Sequence, residues 1–131
     1  TYGAFDIRLE AGLRTASMPA TEVAWLSQSN HADAYWTVAQ MIAHHAVNGC
    51  DLHAGDLLGT GTQSSPGPRG EGCMVEFAAG GRSPVHLPNG ESRTFLEDGD
   101  TVVFRGSCQA PGARRIGFGE CVGAVLPAHR A

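Results

Sequence analysis

The stretch from Tyr35 to Thr62, YWTVAQMIAHHAVNGCDLHAGDLLGTGT, constrains the chain most, because it holds the only convincing amphipathic helix in the sequence. Thr37 is placed to cap the helix, and Gln40 three residues later completes a capping box. Val38, Met41, Ile42 and Ala46 recur at helical spacing, with Thr37, Gln40, His44 and Asn48 on the opposite face. Asn48-Gly49 supplies the left-handed geometry that stops it. A tight Gly55-Asp56 turn then predicts a short strand ending in Gly59-Thr60-Gly61-Thr62. The rest of the chain reads as sheet built beside this unit.

With 131 residues the chain is one domain or part of one, long enough to bury about two-thirds of its extended surface. It has no initiator Met, and TYGAFDIRLE opens directly on a strand pattern, so the expectation is part of a domain rather than a whole one. No apolar run approaches the roughly 20 residues that cross a bilayer, and no signal-peptide layout is present. A net charge of −4 argues against a nucleic-acid surface, which needs a basic patch. All nine basic residues are Arg, so any lysine-dependent chemistry must come from outside this chain. Cys50, Cys73, Cys108 and Cys121 lack metal or redox spacing and sit singly among apolar residues. They read as reduced, buried thiols of a cytosolic protein rather than a disulfide framework.

Along the chain, Phe5, Ile7 and Leu9 alternate with charged residues as in a half-exposed strand. A loop from Gly12 to Pro19 leads to a second strand around Thr21–Leu26, and the two predict a hairpin. Ser27 to Asp33 reads as polar loop, as does the Gly- and Pro-rich QSSPGPRGEG after Thr62. Four further strands are expected at Cys73–Ala78, Ser83–Leu87, Asp100–Arg105 and Arg115–Val125, with Asn89-Gly90 a hairpin turn. In the last strand Gly117, Gly119, Cys121 and Gly123 share one face, and such bare backbone implies close approach of another element. Leu52 to Leu58 echoes Leu96 to Val102, most economically as two similar strand entries. The fold class expected is mainly β with one amphipathic helix.

Among residues that carry chemistry, Glu76 comes first. In a strand Cys73–Ala78 it would share a face with Met74 and Ala78, and apolar neighbours would desolvate it. Such a carboxylate can hold a histidine or move a proton, although the same pattern fits an ordinary solvent-facing glutamate, the more economical reading of pattern alone. Thr60 and Thr62 alternate with glycines at a strand end, where hydroxyls can bind a ligand, or where the strand is simply tight. The signature of a phosphate loop is missing. His44 and His45 face different ways and lack His-x-x-x-His spacing, so hydrogen-bonded structural roles fit better than metal ligation. Asp98 and Asp100 bracket Gly99 as a charged turn without the other oxygens of a calcium loop. There is no Glu-x-Glu pair and no Gly-x-Ser-x-Gly elbow, so the chain alone holds no complete catalytic constellation.

The segments YWTVAQMIAHHAVNGCDL, GDLLGTGT, MVEF, LPNGESRTFLEDGD and RIGFGECVGAVLP, in that order, resemble the C-terminal end of the fumarylacetoacetate hydrolase family. The resemblance covers essentially everything from Tyr35 on, and HHAVNGC and RIGFGEC are its narrower marks. It implies part of a mixed β-sandwich roll, usually in a cytoplasmic homodimer. It also implies hydrolysis of a carbon–carbon bond in a β-diketone, giving fumarate and acetoacetate at the end of tyrosine and phenylalanine breakdown. In the family a histidine activates water and a glutamate in the M-φ-E-φ segment holds that histidine; Glu76 matches it. The threonine of the GT pair contacts substrate, and Thr62 matches that. The histidine, the carboxylates that bind Ca²⁺ or Mg²⁺, and the Arg, Gln and Lys around the developing enolate lie upstream in the family, without counterparts here. Upstream polypeptide and a small diketo-acid substrate are therefore the implied partners, with no nucleic acid and no membrane. The rival expectations are an acylpyruvate or other diketo-acid hydrolase of the same superfamily, and a non-catalytic β module with a ligand pocket at Thr62.

Overall fold

A computed structural model describes residues 5–129. The opening Thr1–Ala4 of the first expected strand lies outside the described residues.

The architecture is mainly β, as expected. Four antiparallel neighbours form the main sheet: β1 (Ile7–Arg14), β2 (Ala24–Asn30), β5 (Thr101–Cys108) and β6 (Ile116–Ala124), in the order β2-β1-β5-β6. The predicted hairpin is β1–β2, with Arg8 opposite Asn30 and Leu13 opposite Ala24, and a bulge between Ala11 and Gly12. Gly12 is required there, because a Cβ would stand 2.3 Å from the Val23 side chain. A separate two-stranded ladder, β3 (Val85–His86) with β4 (Ser92–Arg93), closes through the Asn89-Gly90 turn. Among the described residues no helix is long and apolar enough to cross a membrane.

Helix α1 (Val38–Ala46) starts as its sequence dictates. The Gln40 N–H donates to Thr37 Oγ1 at 3.3 Å, and the Thr37 N–H donates to Gln40 Oε1 at 2.9 Å. Its apolar stripe is not buried against the sheet, and no residue of the helix is fully buried.

Several expectations are corrected. The Cys73–Ala78 segment is not a strand but a short helical turn, α2 (Met74–Phe77). Four apolar-flanked residues carry no period that separates helix from strand, and a glutamate at the third helical position favours an N-terminus. The strand expected before Thr62 is backbone without regular structure or a ladder, with Gly61 at φ 80°; Leu57 is 98 % exposed. The turn feeding it does form, with the Asp56 N–H donating to the His53 carbonyl at 3.1 Å. Ser27 to Asn30 is not loop but the second half of β2, because Ser27 and Ser29 are buried hydroxyl residues on its inward face. Among the described residues nothing packs on the bare face of β6: a Cβ at Gly117, Gly119 or Gly123 would find open space. The four cysteines are free, yet none is buried; Cys50 and Cys121 are exposed and the other two half-buried.

The core is small. Leu13, Met18, Ala24 and Leu87 cluster, with Leu26, Val85 and Val102 against them. Asp100 ties this core to the turns. Its carboxylate takes the Arg93 guanidinium in a bidentate pair at 2.9 and 3.1 Å, with side chains only 1 % and 11 % exposed. It also accepts the Glu97 N–H at 2.9 Å, while the Asp100 carbonyl accepts the Val125 N–H at 2.8 Å. One residue thus joins β4, the turn before β5 and the end of β6. Asp100→Ala leaves the largely shielded guanidinium only the carboxylates of Glu91 at 3.2 Å and Glu97 at 3.5 Å and is expected to cost about 3 kcal/mol, read as a lower midpoint in denaturant unfolding.

Candidate functional site

Strand β2 is the edge of the main sheet, and its outward backbone groups need partners. The Gly- and Pro-rich segment after Thr62 supplies them. The Gln28 N–H donates to the Arg69 carbonyl at 2.7 Å, and the Asn30 N–H donates to Ser65 Oγ at 2.8 Å. Ser27 Oγ donates to the Glu71 carbonyl at 2.6 Å. Within the segment, the Ser65 N–H donates to the Gly70 carbonyl at 2.7 Å. The loop is therefore a folded clasp along β2, not a tether.

Two glycines let the clasp close. A Cβ on Gly70 would stand 1.9 Å from the Ser65 carbonyl oxygen. A Cβ on Gly72 would stand 2.5 Å from the Gln63 carbonyl oxygen and 2.6 Å from the Thr62 methyl. The backbone at Thr62 and Gln63 therefore lies directly against Gly72. The Gly72 N–H in turn donates to Glu76 Oε2 at 2.7 Å. Thr62 and Glu76, fourteen positions apart by number (76 − 62), are brought into one neighbourhood through this glycine.

Glu76 itself is exposed rather than shielded by apolar neighbours, because α2 replaces the expected strand. Its environment is polar. Ser64 Oγ lies 2.8 Å from both carboxylate oxygens, and Cys73 Sγ lies 3.5 Å from Oε2. The Ser64 hydroxyl first, then the Gly72 N–H, hold the carboxyl below the ordinary glutamate range; desolvation opposes them only weakly. The group is an ionised acceptor, not a raised general acid.

Thr62 lines a cavity of about 270 Å³. Thr60, Thr62, Gln63 and Ser64 line it together with Asp33, Tyr35 and Trp36. Tyr35 and Trp36 meet edge to face with ring centroids 4.8 Å apart. Glu76 stands behind Ser64. A larger, apolar cavity of about 570 Å³ adjoins the same turn, lined by Gly72, Cys73, Met74 and Phe77 together with Leu26 and Phe95 among others. It holds neither candidate residue and has the character of core surface, so the smaller polar cavity is the candidate site. Ser64 was not singled out by the sequence reading, which ended the hydroxyl row at Thr62. The period-two spacing Thr60, Thr62, Ser64 was the available signal.

The other candidates lie apart. His45 Nε2 is 3.1 Å from Cys50 Sγ on the exposed end of α1, a hydrogen-bonded role of the kind expected. Among the described residues no three His, Cys, Asp or Glu side chains converge to hold a metal ion.

Residues 13–126 match the family described as fumarylacetoacetate (FAA) hydrolase, C-terminal. The chain belongs to the fumarylacetoacetate hydrolase family. It is similar to the fumarylacetoacetases of Bos taurus and Homo sapiens, 48 % identical to each over 124 residues, covering 95 % of this chain and 29 % of each relative. The fumarylacetoacetase of Arabidopsis thaliana is 46 % identical over 123 residues, covering 94 % of this chain and 28 % of that protein. The chain therefore spans less than a third of the length of these relatives.

Because the Glu76 carboxyl is held low, its contribution to stability is full above the unfolded glutamate range and is lost as pH falls through its own, lower range. Unfolding midpoints are therefore expected to decline as pH falls below the ordinary glutamate range, and Glu76→Gln to flatten that decline. Gly72→Ala is expected to cost about 1–3 kcal/mol through overpacking, and to raise the Glu76 titration midpoint in a carboxyl-carbon NMR titration.

Proposed function

We propose that this chain is the C-terminal portion of the catalytic domain of a hydrolase that cleaves a carbon–carbon bond in a β-diketone. The reaction proposed is fumarylacetoacetate plus water giving fumarate and acetoacetate. Glu76 orients a histidine donated by preceding polypeptide, and Thr62 contacts the substrate. The observation that best supports this reading is the ionised Glu76 carboxylate beside the cavity lined by Thr62. The names and similarity of the relatives point the same way.

The chemistry suits such a division. Cleaving the bond leaves carbanion character that must be delocalised onto a carbonyl and met by cations or hydrogen-bond donors. A carboxylate facing that charge would oppose it. Behind a histidine it stabilises the imidazolium that forms as water loses a proton, the role an aspartate plays in a serine-hydrolase triad. Donors on Glu76 suit that task, because they keep the proton on the imidazole rather than on the carboxylate. Among the described residues no cluster of carboxylates or imidazoles fits the Ca²⁺ or Mg²⁺ implied by the resemblance. Free thiols accord with a reducing, cytosolic setting; the homodimer rests on the resemblance alone.

In the full-length gene product, Glu76→Ala is expected to lower fumarylacetoacetate turnover by about a hundredfold or more; turnover near the parent's would remove Glu76 from the mechanism. The purified chain alone is expected to cleave neither fumarylacetoacetate nor an acylpyruvate, and measurable cleavage by it would contradict the proposed division of the site.

A further inference from the structure

We propose that Ser64 is a positioning residue of this site: its hydroxyl fixes the Glu76 carboxylate in the orientation that receives the histidine N–H. The proposal rests on the reading above, in which Glu76 orients the activating histidine.

The geometry is asymmetric about the carboxylate. Oε2 accepts the Gly72 N–H at 2.7 Å and has the Cys73 thiol at 3.5 Å. The Ser64 hydroxyl lies 2.8 Å from both oxygens, and among the described residues it is the one partner of Oε1. A carboxylate oxygen accepts two hydrogen bonds readily, so Oε1 keeps the capacity to take an imidazole N–H. Ser64 also accepts from the Gly72 N–H at 3.2 Å, which locks its oxygen and leaves its single proton for the carboxylate. Serine, glycine and glutamate thus form a closed triangle whose free corner is Oε1.

Ser64 belongs equally to the cavity. It is the third hydroxyl of the row Thr60, Thr62, Ser64, so the segment that carries the proposed substrate contact also carries the proposed support for the base. A neutral hydroxyl suits the position because it supplies a hydrogen bond to the ionised carboxylate without titrating between acid and neutral pH. Lysine or histidine there would itself change charge or attract the proton in transit.

The test uses the full-length gene product, with fumarylacetoacetate hydrolysis followed across pH for Ser64→Ala, Ser64→Cys, Ser64→Thr and Glu76→Gln. Ser64→Ala is expected to lower kcat about tenfold with KM within about twofold, as loss of an orienting partner does. The acid limb of its pH profile is expected to move upward, because the carboxylate loses a donor that stabilised its charge. Ser64→Thr is expected to restore both, and Ser64→Cys, a weak donor, to fall between. The graded Thr and Cys variants carry the test even if Ser64→Ala does not fold. An inactive Glu76→Gln beside a Ser64→Ala with the parent's kcat and acid limb would overturn the role of Ser64 alone. Equal losses in Ala and Thr with an unmoved acid limb would mark Ser64 as structural and overturn it too. Parental turnover in Glu76→Gln would instead remove the reading of Glu76 on which the proposal stands.

Discussion

The clasp of residues 63–72 along the free edge of β2 is the constraint on which the candidate site depends. An edge strand leaves backbone donors and acceptors open to water or to another chain, and here the chain's own loop takes them. Once the loop is laid along β2, its two ends are fixed in space. One end presents Thr62 and Ser64 to a cavity; the other delivers Gly72 to the start of α2 and to Glu76. The two glycines matter because the backbones approach more closely than any Cβ permits.

The electrostatics follow from that geometry rather than from burial. Glu76 stays ionised because two donors from the clasp point at it, and partial exposure to water assists them. Such a carboxylate is ill suited to donate a proton and well suited to hold a cation or a polarised N–H. The second ionised centre, Arg93 with Asp100, works in the opposite regime. It is buried and bidentate, and it serves the fold by joining β4, the turn before β5 and the end of β6 rather than by facing a cavity.

What the sequence disclosed follows from how local each signal was. The capping box at Thr37 and Gln40, the Asn89-Gly90 turn and the hairpin of β1 with β2 were legible because turn and cap chemistry is decided within a few residues. Glu76 and Thr62 could be singled out, but the environment of Glu76 could not. The MVEF segment is too short to show a period, and the donors on its carboxylate come from residues 64 and 72, across a loop read only as Gly- and Pro-rich. Ser27 and Ser29 were read as loop because buried hydroxyls look polar in sequence, while in β2 they face inward and Ser27 bonds the clasp. The bare glycine face of β6 marked a real peculiarity, and no part of the described residues packs on it.

The chain spans less than a third of the fumarylacetoacetases it resembles, so the most direct measurement is a crystal structure of the full-length gene product with a diketo-acid analogue bound. The expected result is an imidazole nitrogen from preceding polypeptide about 2.6–3.2 Å from Glu76 Oε1, with the Thr62 hydroxyl on the ligand. Glu76 turned toward bulk water with no imidazole in reach, and the ligand seated away from Thr62, would contradict it.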